Sequence, residues 1–248
     1  MHATTPARFR WPGASRERRD DAPRLVDHEL ARARYATRSF LVAPVVLIIA
    51  TYAVFRLLTP IAGERIASFT GFGFYWLLGG VVMPVTLIGR DGIAALFARR
   101  QVPRSLRFTI ALVLLAVPVV FGFLFAFPAI LPFASGATLA GLAAYAVVNG
   151  MLEEVFWRGT FARRFPSNPW LGMIYPAILF SLWQLVPWAV FPTVLHVPAF
   201  VVLGVALPVG LLYNWVAWRT GSIHWTVLSH VLTNLSGIGA MVIFGPGW

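Results

Sequence analysis

Two adjacent carboxylates, Glu153 and Glu154, lie in an apolar stretch of the chain, and Arg158 follows four residues after the second. No acidic residue comes after them, and the nearest one before them is Asp91. A charged side chain at the centre of a membrane helix costs about 2.5 to 3.5 kcal/mol even on lenient insertion scales, so the pair indicates a functional site. The spacing of Glu154 and Arg158 also allows a purely structural ion pair on one helix face.

Further polar residues lie in the apolar stretches of the C-terminal half. His230 and Asn234 are four residues apart and therefore share one helix face, as do Asn149 and Glu153. At a rise of 1.5 Å per residue from the nearest cytosolic helix end, Glu153 lies roughly 15 Å deep, and Gln184 and His230 roughly 12 Å. The sequence therefore predicts that three helices place polar side chains in one layer of the membrane.

The composition is that of an integral membrane protein, because 58% of the 248 residues are hydrophobic and only 12% are charged. The absence of cysteine excludes disulfide frameworks, thiolate zinc sites and a cysteine nucleophile. The basic residues are all arginine and are spread among short loops and one tail. This pattern argues against nucleic acid as a partner and indicates topology signals that can also contact anionic lipid.

The apolar stretches predict an all-α, polytopic membrane helix bundle of about seven transmembrane helices. We predict these helices at residues 40–58, 72–88, 106–128, 137–160, 176–195, 198–218 and 223–244. Arginine-rich loops alternate along the chain with loops that carry little or no charge. The positive-inside rule therefore predicts a cytosolic N-terminus and an outer C-terminus.

Three motifs in the C-terminal half resemble those of one protease family. Glu-Glu-Val-Phe-Trp-Arg-Gly at residues 153–159 is similar to the first motif, Glu-Glu-x-x-x-Arg-Gly, of the CAAX protease and bacteriocin-processing (CPBP) family, also known as Abi or Rce1-like. Residues 220–223, with His230-x-x-x-Asn234, resemble the C-terminal motif of that family. Between them, where the family has Phe-x-x-x-His, this chain has Phe180 followed at the fourth position by Gln184.

The resemblance implies an intramembrane endopeptidase that cuts a membrane-associated peptide or protein near the cytosolic face. It makes Glu153 the general base that activates water and Glu154 with Arg158 its supporting pair. The oxyanion donors would be His230 and Asn234.

Gln184 departs from the family pattern, in which a histidine shares the activation of water. An amide can orient water but cannot accept or carry a proton as an imidazole does. Loss of a shared base can lower the rate on the order of 10² to 10⁴. An alternative is therefore a catalytically impaired family member that acts as a membrane peptide-binding, immunity or scaffold protein.

Some of these residues would also suit two other functions. A transporter or proton pathway could use the carboxylate pair as a relay, but it would predict internal inverted repeats, which the sequence does not show. A zinc hydrolase normally uses three protein ligands, and only His230 and the two glutamates remain as strong candidates. No cofactor is expected, and a divalent metal such as zinc is disfavoured.

The sequence is thus expected to fall into three regions. Residues 1–38 form an arginine-rich cytosolic tail, expected to be disordered, and residues 39–135 form the N-terminal transmembrane helices. Residues 136–248 form the CPBP-like protease core. The expected location is the membrane, with a bacterial cell membrane as the expected setting.

Overall fold

The computed structural model describes residues 17–98, 104–190 and 198–237, with side chains from residue 37 onward. Every regular element in these ranges is helical, as the composition predicts. The chain divides into two compact units, residues 1–39 and residues 40–248. Residues 1–16 of the predicted tail lie outside the described ranges, and the disorder expected of the tail stays a prediction.

The first helix, α1 (Glu17–Tyr75), folds back on itself at Gly63. Gly63 has φ 81° and ψ 161°, a left-handed conformation that glycine adopts without steric cost. Phe55 and Phe72 pack edge to face with ring centroids 5.5 Å apart, although they lie on opposite sides of the turn. Further along both arms, a Cβ added to Gly79 would lie 2.6 Å from Leu47 Cδ2. The two predicted helices at 40–58 and 72–88 therefore form one antiparallel hairpin, which we call the N-terminal hairpin (residues 40–88).

A π-helical turn at Trp76–Val82 continues the second arm of this hairpin into α2 (Met83–Leu96). The next apolar segment comprises α3 (Leu106–Phe121), a π turn at Gly122–Ala126, α4 (Phe127–Ile130) and a short 3-10 turn at Leu131–Phe133. Ser105 begins α3 by accepting the backbone amide of Phe108 at 3.3 Å, which satisfies one of the free N–H groups of the first turn.

The acidic pair lies where two helical geometries meet. α5 (Gly136–Glu153) ends at the first glutamate, and a π turn at Glu154–Thr160 leads directly into α6 (Phe161–Arg164). π turns are rare and often occur at functional sites, because the extra residue per turn re-aims the side chains that follow. The helix predicted to end at residue 160 therefore continues to Arg164.

Four further helices complete the described chain. A π turn at Trp170–Ile174 leads into α7 (Tyr175–Trp183), which is followed by α8 (Leu185–Val190), α9 (Ala199–Thr220) and α10 (His224–Leu235). Pro176 lies in the first turn of α7, as the predicted span 176–195 implies, and the π turn extends the helical structure back to Trp170. The wider π turn before the proline tolerates the absence of an amide hydrogen on this residue.

Five helical segments are long and apolar enough to cross a membrane: Thr37–Leu96, Leu106–Phe133, Gly136–Arg164, Trp170–Val190 and Ala199–Thr220. The first of them contains both arms of the N-terminal hairpin. Of the last predicted span, α10 covers 12 residues, and residues 238–244 lie outside the described ranges, as do residues 191–195 of the fifth. The count of seven and the cytosolic N-terminus stay predictions.

Large apolar side chains cover the outer surface of these segments. Ile61 and Phe133 are each 82% exposed, and Leu106 is 75% exposed. Contiguous apolar exposure of this kind is unfavourable in water and suits contact with lipid chains. The polar groups described next face the interior instead.

Candidate active site

Close packing between α5 and α10 brings the acidic pair to the residues of the last helix. Gly150 lies so near α10 that a Cβ added to it would be 2.8 Å from Val231 Cγ2 and 3.0 Å from the Val231 backbone nitrogen. Small residues permit such close approach between membrane helices. His230, next to Val231 in the chain, is thereby placed against the carboxylates, which are nearly or fully buried at 4% exposure for Glu153 and 0% for Glu154.

Glu153 is held through one carboxylate oxygen and faces His230 with the other. Its Oε1 accepts a hydrogen bond from the Tyr75 hydroxyl at 2.8 Å and another from the Trp183 indole nitrogen at 3.0 Å. Its Oε2 lies 3.5 Å from His230 Nε2. The two oxygens therefore have different surroundings, and Oε2 is the one that lacks the Tyr75 and Trp183 donors.

The imidazole of His230 lies between the two carboxylates. Its Nδ1 is 2.8 Å from Glu154 Oε1, and its Nε2 faces Glu153. The ring is also stacked on Tyr213, with centroids 6.0 Å apart and planes at 17°. Tyr213 is itself fixed, because its hydroxyl lies 2.6 Å from Ser229 Oγ. The orientation of the imidazole is thus fixed by the carboxylates at its nitrogens and by Tyr213 against its ring face.

Arg158 pairs with Glu154 inside the protein, as the four-residue spacing allows. Its Nη1 lies 3.2 Å from Glu154 Oε1, and both side chains are completely buried. The guanidinium carbon lies 3.9 Å from the centre of the Phe180 ring and 5.4 Å from that of Tyr213. A buried cation gains from the negative faces of such rings. Phe180, the first residue of the middle motif, therefore contacts the guanidinium.

The structure does not bring Gln184 into the contacts that hold the carboxylates. α7 ends at Trp183, and Gln184 is the half-buried residue that caps it, with its backbone nitrogen bonded to the Phe180 carbonyl at 3.2 Å. The indole of Trp183, one position earlier, donates to Glu153 instead. Adjacent residues of a helix point in different directions, so Trp183 and Gln184 cannot both point toward Glu153.

Asn234 lies one turn beyond His230 on α10 and is 4% exposed. Within the ranges that the structure describes, its amide nitrogen Nδ2 has no hydrogen-bond partner. A buried amide without a partner carries a desolvation cost, which a bound acceptor would remove. On α5, Asn149 is already engaged, because its Oδ1 accepts the indole N–H of Trp76 at 2.9 Å.

The segment Thr220 to Ile223 forms the turn between α9 and α10. Gly221 adopts φ 64° and ψ 22°, the left-handed cap that favours glycine at a helix end. The backbone carbonyl of Leu96 accepts both Ser222 Oγ and the Ile223 amide, each at 3.1 Å. The motif thus anchors the start of the His230 helix to the end of α2.

The arrangement of the side chains decides whether the site could hold a metal. Among the described residues, no group of three or more His, Cys, Asp or Glu side chains has an arrangement that could hold a metal ion. Both nitrogens of His230 face carboxylate oxygens, so a metal would have to displace one of these contacts.

Four aromatic residues of the site were not among the sequence predictions: Tyr75, Trp76, Trp157 and Trp183. In the sequence they look like ordinary core residues of apolar helices. The signal in the sequence that could have found them is their hydroxyl and N–H groups, because such groups need a hydrogen-bond partner when they are buried. Two of the four lie in the N-terminal hairpin, which the motifs left without a role.

The comparison with family models covers the segment that contains the three motifs. Residues 135–236 match the model described as Type II CAAX prenyl endopeptidase Rce1-like. No curated protein and no solved structure gives a significant match to the chain. The matched segment contains Glu153, Trp183 and His230 but begins after Tyr75.

Proposed function

Because residues 135–236 match the Rce1-like CAAX prenyl endopeptidase model, we propose that this integral membrane protein is a glutamate-dependent intramembrane endopeptidase. The observation that carries the proposal is that both Glu153 and Glu154 have a carboxylate oxygen within 3.5 Å of the His230 imidazole in a buried interior. Two carboxylates and an imidazole in such an environment suit general acid–base chemistry.

In the proposed reaction, Glu153 takes a proton from a water molecule through Oε2. The water oxygen attacks the peptide carbonyl carbon, and the carbonyl oxygen becomes an oxyanion. When the intermediate collapses, the carbon–nitrogen bond breaks, and the proton held by Glu153 passes to the leaving amine. The unequal surroundings of the two carboxylate oxygens support this assignment, because Oε1 is already engaged by Tyr75 and Trp183.

We assign the stabilisation of the oxyanion to Asn234 and His230. The unpartnered Nδ2 of Asn234 supports its part, since it is buried and lacks an acceptor within the described residues. Glu154, paired with Arg158, anchors His230 Nδ1 and leaves Nε2 facing the space beside Glu153 Oε2. Donors aimed at a developing oxyanion are worth about 2.7 to 4 kcal/mol each.

The proposed substrate is a membrane-associated peptide or protein, cut near the cytosolic face. The site lies in the interior of a bundle of apolar helices, so a substrate segment reaches it from the membrane rather than from bulk water. We place the protein in a bacterial cell membrane.

The test uses the purified full chain in detergent micelles. Two probes are offered, a quenched fluorescent farnesylated CAAX peptide and a proteome-derived peptide library read by mass spectrometry. Glu153→Gln keeps the size of the side chain and an acceptor for Tyr75 and Trp183, but it removes the base. We expect cleavage to fall at least about 100-fold with an unchanged thermal unfolding temperature. Cleavage at the wild-type rate in this variant would refute the role of Glu153.

Gln184 favours a second candidate, a family member that binds membrane peptides without cutting them. The variant Gln184→His separates the two functions in the same assay. A peptidase that operates without the middle-motif imidazole should gain less than about threefold, whereas a disabled enzyme should gain on the order of 10² or more. Absence of wild-type cleavage together with a large gain in this variant would establish the second candidate.

A further inference from the structure

We infer that Tyr75 and Trp183 together act as a positioning device for Glu153, which we call the carboxylate clamp. The inference rests on the proposed function, since it concerns how the base of that reaction is oriented. Both side chains donate to the same oxygen, Oε1, at 2.8 and 3.0 Å. Neither residue is assigned a role by the motifs, and Tyr75 lies outside the segment that matches the family model.

The direction of each hydrogen bond in the clamp is fixed by chemistry. An indole N–H can only donate, so Trp183 must donate to the carboxylate. The Tyr75 hydroxyl accepts the indole N–H of Trp157 at 2.7 Å, which leaves its own hydrogen for Glu153. Glu153 Oε1 therefore receives two donors, the indole hydrogen of Trp183 and the hydroxyl hydrogen of Tyr75.

The clamp is also rigid because its two rings pack on each other. Tyr75 and Trp183 are stacked with ring centroids 3.9 Å apart and planes at 11°. Both are almost completely buried, and the Phe72 ring packs edge to face on Trp183 at 6.4 Å. Tyr75 comes from the N-terminal hairpin and Trp183 from the end of α7, so the stack also joins the hairpin to the protease core.

The effect of the clamp is to decide which carboxylate oxygen reacts. A free carboxylate can exchange its two oxygens by rotation about its last side-chain bond, and the two are chemically equivalent. Two strong donors on Oε1 remove that equivalence and keep Oε2 toward His230, at 3.5 Å from Nε2. The clamp thus supplies orientation at a site where Gln184 cannot supply a second imidazole.

This inference also assigns a function to the N-terminal hairpin. The protease core holds the base, but one of the two donors that orient it belongs to residues before the core. A misplacement of the base by about 1 Å can lower the rate on the order of 100-fold. The protease core without the hairpin would therefore contain the reactive residues, but Glu153 would lack one of the donors that orient it.

The experiment compares two conservative substitutions with matched controls in the full chain. Tyr75→Phe and Trp183→Phe keep an aromatic ring for the stack and each remove one donor. The controls are Tyr175→Phe, which removes a hydroxyl bonded to the Leu41 carbonyl, and Trp218→Phe, which removes an indole N–H bonded to the Phe165 carbonyl. Each control therefore deletes the same kind of donor from a bond that does not involve the carboxylates.

We expect each clamp variant to lower kcat on the farnesylated peptide about 10- to 100-fold, with KM changed less than about threefold. The controls should keep kcat within about twofold, even where their unfolding temperature falls as much as that of the clamp variants. Clamp variants with kcat equal to the controls would overturn the inference while leaving the proposed function intact.

A second measurement does not depend on activity. The indole signals of the ¹⁵N-tryptophan-labelled protein are recorded in micelles, and that of Trp183 is identified by its loss in Trp183→Phe. We expect this signal to shift upfield in Glu153→Gln, which has a neutral acceptor, and further in Glu153→Leu, which has none. An unmoved signal in both variants overturns the clamp. A wild-type protein without cleavage of either probe overturns the proposed function, and the indole shift then decides the clamp by itself.

Discussion

Trp157 donates its indole N–H to the hydroxyl of Tyr75, with 2.7 Å between nitrogen and oxygen, although 82 residues separate them in the chain. Trp157 lies within the first motif, three residues after Glu154, and Tyr75 lies in the N-terminal hairpin. The motif therefore supplies both the carboxylate and, indirectly, the orientation of a donor to that carboxylate. Three side chains form a directed series in which Trp157 donates to Tyr75 and Tyr75 donates to Glu153.

Removing the indole donor of Trp157 should weaken the hydrogen bond from Tyr75 to Glu153 without abolishing it. In Trp157→Phe, the Tyr75 hydroxyl keeps its bond to Glu153 but is free to rotate. We expect kcat to fall about threefold to tenfold, less than in Tyr75→Phe, because the series is shortened rather than broken. Steady-state kinetics on the farnesylated peptide measure this, with Trp170→Phe at an exposed position as the control. A larger loss in Trp157→Phe than in Tyr75→Phe would contradict the series.

The buried pair of Glu154 and Arg158 should dominate the stability of the site. Arg158→Met leaves Glu154 buried without its cation, and breaking such a pair costs about 3 to 5 kcal/mol. Unfolding titrations in detergent measure this loss. The exposed Arg163, five residues further along, is the matched control, and Arg163→Ala should change the stability by less than about 0.5 kcal/mol.

The double variant Glu154→Gln with Arg158→Met tests whether the loss in Arg158→Met comes from the buried, unpaired charge of Glu154. Because the uncompensated charge is gone, it should recover part of the stability that the single arginine variant loses. A loss of stability in the double variant equal to the sum of the losses in Glu154→Gln and Arg158→Met would show that the two side chains do not interact.

The contact between Gly150 and α10 should control the distance from His230 to the carboxylates. In Gly150→Ala, the new methyl group would meet the backbone of Val231 at 3.0 to 3.1 Å, and backbone cannot move aside as a flexible side chain can. We expect a loss of about 1 to 3 kcal/mol in stability and a fall in kcat, since α10 must shift. Gly136→Ala, on the same helix with nothing within 4 Å, should leave both unchanged. Equal effects at the two glycines would exclude a role for the close approach.

The predicted orientation can be measured directly, because the chain contains no cysteine and needs no background mutations. Single cysteines are introduced as Ser167→Cys, beside Arg163 and Arg164, and as Ala134→Cys, between two apolar segments. A membrane-impermeant maleimide should label residue 167 from the cytosolic side and residue 134 from the opposite side. Labelling of both from one side would contradict the predicted topology.

The sequence contained enough information to predict which charged residues meet. Glu153, Glu154 and Arg158 are conspicuous because charge is expensive in an apolar helix, and the helical period relates their positions. His230 could be placed at the same depth by counting residues from the helix end. The helix face is thus readable from spacing, and the all-helical architecture follows from composition, whereas the depths in the membrane stay predictions.

The aromatic donors could not be predicted in the same way. Tyr75 and Trp183 contact Glu153 only because two helices, 108 residues apart in the chain, are rotated so that their rings stack. Rotation of one helix against another depends on packing that spacing does not encode. The π turn beginning at Glu154 further shifts the faces of the residues that follow. The role of Gln184 stays a prediction.

The order of elements along the chain has a consequence for biogenesis. The N-terminal hairpin leaves the ribosome before α5, so we expect Tyr75 and Trp76 to have entered the membrane when the acidic helix is released from the insertion machinery. Glu153 and Asn149 then meet waiting donors instead of bare hydrocarbon, where a lone carboxylate would cost about 2.5 to 3.5 kcal/mol. We therefore expect the hairpin to assist the membrane insertion of the acidic helix, and a circular permutant that synthesises the hairpin last should insert less efficiently.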